Sequence, residues 1–278
     1  MTIKALIWDV DGTLAETERD GHRLAFNQAF EASGLRWRWD VARYGELLAV
    51  TGGRERLLHD MAGRVDAPAD PAGREALAAL LHQRKNAAYA DIVRMGRIVP
   101  RPGVLRLMDE ARAAGLAQAI ATTTSRSNVD ALLGGWFGRS WRERFAAVVC
   151  GEDVARKKPD PEVYRQALAL LGCPAHEAVA MEDSGPGLRA ARAAGLAVLL
   201  TPSVYFPAVP EQVEVRDGHG VLAVCADLDQ APVLDLTRLQ TLNARQAAAP
   251  FSAAGGVPGR FRPAAPAPAA RCAGSPPP

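Results

Sequence analysis

Residues 3–13 read Ile3-Lys4-Ala5-Leu6-Ile7-Trp8-Asp9-Val10-Asp11-Gly12-Thr13. From Ala5 to Trp8 the run is apolar with no alternation of polar and apolar side chains. That is the pattern of a strand buried on both faces of a parallel sheet. It stops at two carboxylates with one residue between them, followed by a glycine able to turn the chain. In open α/β sheets ligands bind at the carboxyl ends of the strands, so Asp9 and Asp11 fall where a site is expected.

Working outward, comparable runs recur at 117–121, 146–150, 178–181 and 196–200, with helical patterns between them. Pro102-Gly103 opens one helix, with Val104, Leu107, Met108 and Ala111 on one face. Pro161 opens a second through Val163, Tyr164, Ala167 and Leu168, and Gly187–Ala194 forms a third. The heptapeptide Ala-Arg-Ala-Ala-Gly-Leu-Ala occurs at 111–117 and again at 191–197. Both copies read as one local solution, a helix ending on glycine before a buried strand. Alternating strands and helices imply an α/β fold with a doubly wound parallel sheet. Residues 16–97 break the alternation with four helical stripes: Leu24, Ala25, Ala29 and Phe30; Val41, Tyr44, Leu47 and Leu48; Leu57, Leu58 and Met61; Leu77, Leu80, Leu81 and Ala88. The expected division is a core of 1–15 and 98–243, an inserted helical domain of 16–97, and a disordered Ala/Pro/Gly-rich tail of 244–278.

Bulk composition excludes several classes. The chain has 278 residues, 48% apolar and 23% charged, with 33 basic and 31 acidic side chains for a net charge of +2. A nucleic-acid binder would show a clustered basic excess. No apolar stretch reaches membrane-spanning length, and the N-terminal run is too short for a signal peptide. Cys150, Cys173, Cys225 and Cys272 are widely spaced, which fits neither a disulfide framework nor a zinc site. A soluble cytoplasmic monomer with no nucleic-acid or membrane partner is the expectation. Only four of the basic residues are lysines, so each lysine is worth locating.

Three more polar clusters follow buried runs. Thr122-Thr123-Thr124-Ser125 offers hydroxyls and amides just before a helix, suited to an anion. Lys157-Lys158-Pro159 places two of the four lysines together. Glu182-Asp183 puts two acids after Met181, good ligands for a hard metal.

An acid pair, a hydroxyl, a lysine and a second acid pair, in that order, resemble the four motifs of the haloacid dehalogenase-like (HAD) hydrolase superfamily. They are matched here by Asp9-x-Asp11-Gly12-Thr13, Thr122, Lys158-Pro159 and Glu182-Asp183. The resemblance covers about residues 3–235 and implies a Rossmann-like core with an all-helical type 1 cap. It implies that Asp9 is a nucleophile forming an aspartyl-phosphate. Asp11 would be general acid and then general base, which requires a raised pKa. Mg²⁺ would be held by Asp9, the Asp11 carbonyl and Asp183, with Glu182 assisting. Thr122 and the Thr123 amide would hold phosphate oxygens, Lys158 would sit between Asp9 and phosphate, and Lys157 would be its solvated neighbour.

Within the superfamily, the cap segments Ala15–Arg23, Phe26-Asn27, Trp37–Asp40 and Val50–Arg56, with Thr122–Ser125, Ala180–Ser184 and Gly187–Ala191, look like the CbbY type, found with Rubisco genes of the Calvin cycle. That likeness implies a sugar-bisphosphate phosphatase, chiefly converting xylulose 1,5-bisphosphate to xylulose 5-phosphate. Glu18 and His22 would face the sugar, and Thr51, Gly52, Gly53 and Arg54 the distal phosphate. Trp8 stands where Phe is usual and Arg54 where Lys is common. The rival readings are a β-phosphoglucomutase-type phosphotransferase, a broader phosphoglycolate or sugar-phosphate phosphatase, and a non-catalytic regulator of the same fold. A dehalogenase is disfavoured, because those relatives lack the second Asp.

Overall fold

The computed structural model describes residues 2–206 and 220–248. Six parallel strands form one sheet: β1 (Ala5–Trp8), β2 (Ala117–Ala121), β3 (Ala147–Val149), β4 (Ala178–Glu182), β5 (Ala197–Leu200) and β6 (Val221–Val224). Their order is β3-β2-β1-β4-β5-β6. The order reverses at β1, which pairs with β2 on one side and β4 on the other. Asp9 therefore leaves the sheet at its switch point, where a crevice opens between diverging crossovers.

The two faces of the sheet differ in bulk. Leu6, Trp8, Ile120, Val179, Met181 and Leu199 point to one side. There they meet α5 (Val104–Ala113), α6 (Arg126–Phe137) and α9 (Leu236–Ala248). The other side is mostly alanine: Ala5, Ala119, Ala121, Ala147, Ala178 and Ala180. Small side chains let α7 (Glu162–Leu171) and α8 (Gly185–Ala193) lie close, packing Val163, Tyr164, Ala190 and Ala191 against the strands. These alanines serve helix-to-sheet approach. Trp8 does more than fill space. Its indole donates to Gln118 Oε1 at 3.0 Å, and Gln118 donates to the Met108 carbonyl at 2.9 Å, so one buried polar side chain satisfies another.

The insertion holds four helices: α1 (Arg23–Ala32), preceded by a π-helical turn at Glu18–His22, α2 (Val41–Leu47), α3 (Gly53–Ala62) and α4 (Pro71–Arg94). It buries an aromatic core of its own from Phe26, Phe30, Trp37, Trp39, Tyr44, Leu57 and Leu81. The large apolar side chains among them contribute about 1.5–3 kcal/mol each. It also rests on the rest of the molecule: Ala25, Tyr89, Ile92 and Val93 join the cluster that covers the β1 side of the sheet.

Three expectations change. The buried face of α4 runs Ala78, Leu81, Lys85, Tyr89, Ile92 and Val93, whereas Leu80, expected inside, is 41% exposed. Strand β6 was not foreseen. Helix α9 continues to Ala248, past the expected start of the tail at 244. Alanine is the strongest helix former, so its abundance there extends a helix. The rest of the proposed tail, 249–278, lies outside the described residues. Among the described residues no helix is long and apolar enough to cross a membrane.

Candidate active site

Asp9 emerges from β1 with its N–H donating to the Met181 carbonyl at 3.0 Å. Its carboxylate is buried. Oδ1 accepts from Lys158 Nζ at 2.6 Å and Oδ2 from the Thr13 hydroxyl at 3.3 Å. Burial pushes the Asp9 pKa up to about 7; Lys158 opposes the rise and Glu182 adds to it. Gly12 makes the turn between the two acids with φ +85°. A Cβ there would lie 2.1 Å from Asp183 Oδ2 and 2.9 Å from Ser203 Cβ. Both the backbone conformation and the space demand glycine.

Lys158 is the electrostatic centre. Its ammonium donates to Asp9, to Glu182 Oε1 at 2.7 Å and to the Ala121 carbonyl at 3.0 Å, which uses all three hydrogens. Burial works against the charge, but Asp9 and Glu182 outweigh it and the pKa rises. Glu182 is fully engaged. Oε1 also accepts from the Tyr164 hydroxyl at 2.6 Å, and Oε2 accepts from the amides of Asp183 at 3.0 Å and Ser184 at 3.4 Å. Gly187 leaves it room, since a Cβ there would lie 1.9 Å from Oε1.

Asp9, Glu182 and Asp183 each offer a ligand oxygen within 4.8 Å of the others. The Asp183 carboxyl is buried beside the other two acids, and burial first, then Glu182 and Asp9, push its pKa well up. It has no ion pair of its own among the described residues. A divalent cation would offset that crowding, and the oxygen-only donor set fits a hard ion such as Mg²⁺. Glu182 accepts from more donors than Asp9 does.

This makes a measurable prediction. Asp9's ordinary pKa is 3.8 and its folded value is about 7. A raised carboxylate pKa means the metal-free fold loses stability as pH climbs between those values. Mg²⁺ should raise the melting temperature by on the order of 5 °C at a hundredfold excess over Kd, and by more at pH 8 than at pH 5. Thermal melts in chelator and in Mg²⁺ at both values check it; identical curves at pH 8 would remove the metal site.

Asp11 departs from expectation. A general acid requires a raised pKa, yet the structure holds Asp11 below the usual carboxylate range. Burial pushes the value up, but His22 and the Thr17 hydroxyl outweigh it. His22 Nε2 lies 2.8 Å from Asp11 Oδ1 and Thr17 Oγ1 donates to the same oxygen at 2.6 Å. His22 lines the cavity and also caps Asp11, with its ring stacked 4.2 Å from that of Tyr89. This contact joins the insertion to the catalytic loop, a pairing that spacing alone does not reveal.

The site opens into a cavity of about 270 Å³ between the core and the insertion. On the core side Thr122, Thr123, Thr124 and Ser125 line it; Thr122 Oγ1 accepts from the Thr124 amide at 3.2 Å. From the insertion come Glu18, Thr51, Gly52, Gly53 and Arg54. Glu18 accepts from the Tyr44 hydroxyl and lies 3.8 Å from the Arg56 guanidinium. Arg54 is at the rim, paired with Glu75 at 2.5 Å. Lys157, expected to be merely solvated, instead bridges to Glu55 of α3 at 2.5 Å.

Among the cavity residues to which the sequence reading gave no role are Lys85, Arg56 and His82. Burial lowers the Lys85 pKa to about 8; its ammonium lies over the rings of Tyr89 at 5.2 Å and Phe26 at 5.4 Å. Burial, helped by Lys85, lowers His82 to about 4, so at neutral pH it is uncharged. Lysine scarcity was the one available signal for Lys85.

Comparison with known proteins agrees with this geometry. Residues 3–195 match the family described as haloacid dehalogenase-like hydrolase. Protein CbbY of Rhodobacter capsulatus is 48% identical over 205 residues, 74% of this chain and 88% of that protein. The plasmid-borne CbbY of Cupriavidus necator is 48% identical over 206 residues, 73% and 80% of the two chains. The crystal structure of Rhodobacter sphaeroides CbbY with phosphate superposes with a TM-score of 0.74 at 40% identity, covering 86% of this chain and 99% of that one. A mutant of the same protein in complex with xylulose-(1,5)bisphosphate gives 0.72 at 40% identity, covering 84% and 100%. By motif, fold and relatedness alike, this chain belongs to the haloacid dehalogenase-like hydrolase family.

Proposed function

We propose that the protein is a Mg²⁺-dependent phosphatase of sugar bisphosphates, with xylulose 1,5-bisphosphate the foremost substrate. Residues 16–97 act as the cap that selects the substrate. The observation that carries this reading is the Asp9–Lys158–Glu182 array in a cavity that Arg54, Arg56 and Lys85 also line. The array suits a reacting phosphate, and the further cations suit a second, non-reacting anion.

In the first step an Asp9 oxygen attacks phosphorus and the bond from phosphorus to the sugar oxygen breaks. A proton from Asp11 goes to that oxygen, leaving phospho-aspartate. In the second step Asp11 takes a proton from water as the water oxygen attacks phosphorus. Inorganic phosphate leaves and the Asp9 carboxylate is restored. Lys158 offsets negative charge at Asp9, while Thr122 and the Thr123 amide orient phosphate oxygens. Asp9, Asp183 and the Asp11 carbonyl would hold Mg²⁺, which when bound shields the charge of phosphate and nucleophile. As the structure stands, Asp11 is poised as the base of the second step. For the first step it must hold a proton, so the His22 contact has to loosen as the cap moves on substrate binding.

The test is phosphate release with Mg²⁺ across sugar mono- and bisphosphates, with glucose 1-phosphate included. Isomerisation of glucose 1-phosphate in place of phosphate release would make the protein a mutase. Arg54 is half exposed, so Arg54→Ala should lower kcat/KM for the bisphosphate by about tenfold, the low end for a charged hydrogen bond. A monophosphate lacking the distal group should lose much less. Equal losses on both would remove Arg54 from the distal site.

A further inference from the structure

Arg101 lies outside the motifs, and its buried guanidinium has no close carboxylate. Instead it donates to four backbone carbonyls. Nη1 reaches Gly12 and, at 2.7 Å, Thr201; Nη2 reaches Pro202 at 3.0 Å and Ala226 at 2.7 Å. Its own backbone N–H donates to the Leu14 carbonyl at 2.8 Å. The nearest acid is Glu16, whose Oε1 is 3.8 Å from Nε, while Glu16 Oε2 accepts from the Val204 amide at 3.3 Å.

These carbonyls have one thing in common. They belong to the segments that follow β1, β5 and β6, at the end of the sheet that carries the site. Arg101 itself stands where the chain returns from the insertion, and Glu16 where it departs. The guanidinium therefore grips both connections and the catalytic loop at once. Its hold on Gly12 also sets a peptide plane. A trans peptide points its N–H opposite to its carbonyl, so drawing the Gly12 oxygen to Arg101 turns the Thr13 amide the other way. Gly12 is also closed in by Asp183 and Ser203. A loop held by a guanidinium and crowded by a buried carboxylate has little freedom to shift Asp9 or Asp11.

We propose that Arg101 is a positioning residue that fixes the Asp9–Ala15 loop and joins it to the two connections on which the cap turns. The role extends the phosphatase reading and uses that same site. A loose loop would lower the turnover number more than it weakens substrate binding, because displacement by about 1 Å can cost on the order of a hundredfold.

Arg106 provides the control. It too is held in a network, donating to Glu110, Asp229 and the carbonyls of Leu228 and Leu234, none of them in residues 9–15. The experiment compares Arg101→Met, Arg101→Lys and Arg106→Met with wild type, well below each melting temperature. Arg101→Met should lower kcat by about thirtyfold or more with KM changed less than about threefold. Arg101→Lys should recover part of the loss, since an ammonium can still reach some of the carbonyls. Amide hydrogen exchange over residues 9–15 should quicken in Arg101→Met and stay at the wild-type rate in Arg106→Met. The role is overturned if the two Met variants lose kcat alike in proportion to their lost stability, or if exchange in the loop is unchanged by Arg101→Met. The exchange readout decides even if wild type releases no phosphate, an outcome that would sink the phosphatase reading separately.

Discussion

Replacing Asp9 by Asn should stop turnover while leaving a folded protein. The amide keeps the shape of the carboxylate and can still receive the Lys158 ammonium, but it supplies no anionic oxygen to attack phosphorus. Loss of a covalent nucleophile costs about 10⁴-fold or more in kcat. Stability should move the other way. Burial lifts the Asp9 pKa from 3.8 to about 7, so above pH 7 the metal-free wild type carries an ionised group that its surroundings disfavour. Without Mg²⁺ at pH 8, Asp9→Asn should therefore melt at or above the wild-type temperature. Phosphate-release kinetics and melts of one preparation settle both halves. Residual activity within about tenfold of wild type would place the nucleophile elsewhere.

Lys158→Met should be damaging in both respects. Its ammonium satisfies Asp9, Glu182 and the Ala121 carbonyl inside the protein, and methionine satisfies none of them. Removing one partner from a buried ion pair costs about 3–5 kcal/mol, or on the order of 10 °C in melting temperature for a chain of this size. Because Asp9 then loses the group that opposes its rise in pKa, the deficit should widen as pH increases from 5 to 8. Adding Glu182→Gln should return part of the stability and none of the activity. If Lys158→Met melted with wild type, the three-way contact would be energetically idle.

The residues that were legible in the sequence share a property: each sits next to a pattern that reports its own position. Asp9 and Asp11 follow an apolar run that suits a buried strand. Thr122 and Glu182-Asp183 do the same at β2 and β4, so the strands locate the chemistry. The four stripes of the insertion announced its helices in the same way. What stayed hidden depends on distance in space without regularity in sequence. Lys85, Arg56 and Arg101 are buried cations, and charged side chains are by default assigned to solvent; only the assembled cavity or the converging carbonyls explain their burial. The His22–Asp11 contact likewise needs the π-helical turn to bring the ring over the loop. Leu80 and Lys85 exchange their expected places because helix α4 answers to two neighbours, the aromatic core of the insertion and the body of the molecule.

The unequal faces of the sheet have a consequence for β1 in particular. Leu6 and Trp8 face the bulky side while Ala5 faces the alanine side and Ile7 faces α7 and α8. Sliding the strand by one residue exchanges the sides of every side chain. The indole would be driven into a layer built from alanine and small aliphatic side chains, and its hydrogen bond to Gln118 would be lost. The same slip would carry Asp9 away from Lys158. The strand therefore works as a ruler with a single zero: the mark that seats Trp8 is the one that delivers the carboxylate to its ammonium, so a chain threaded out of step cannot be both well packed and armed.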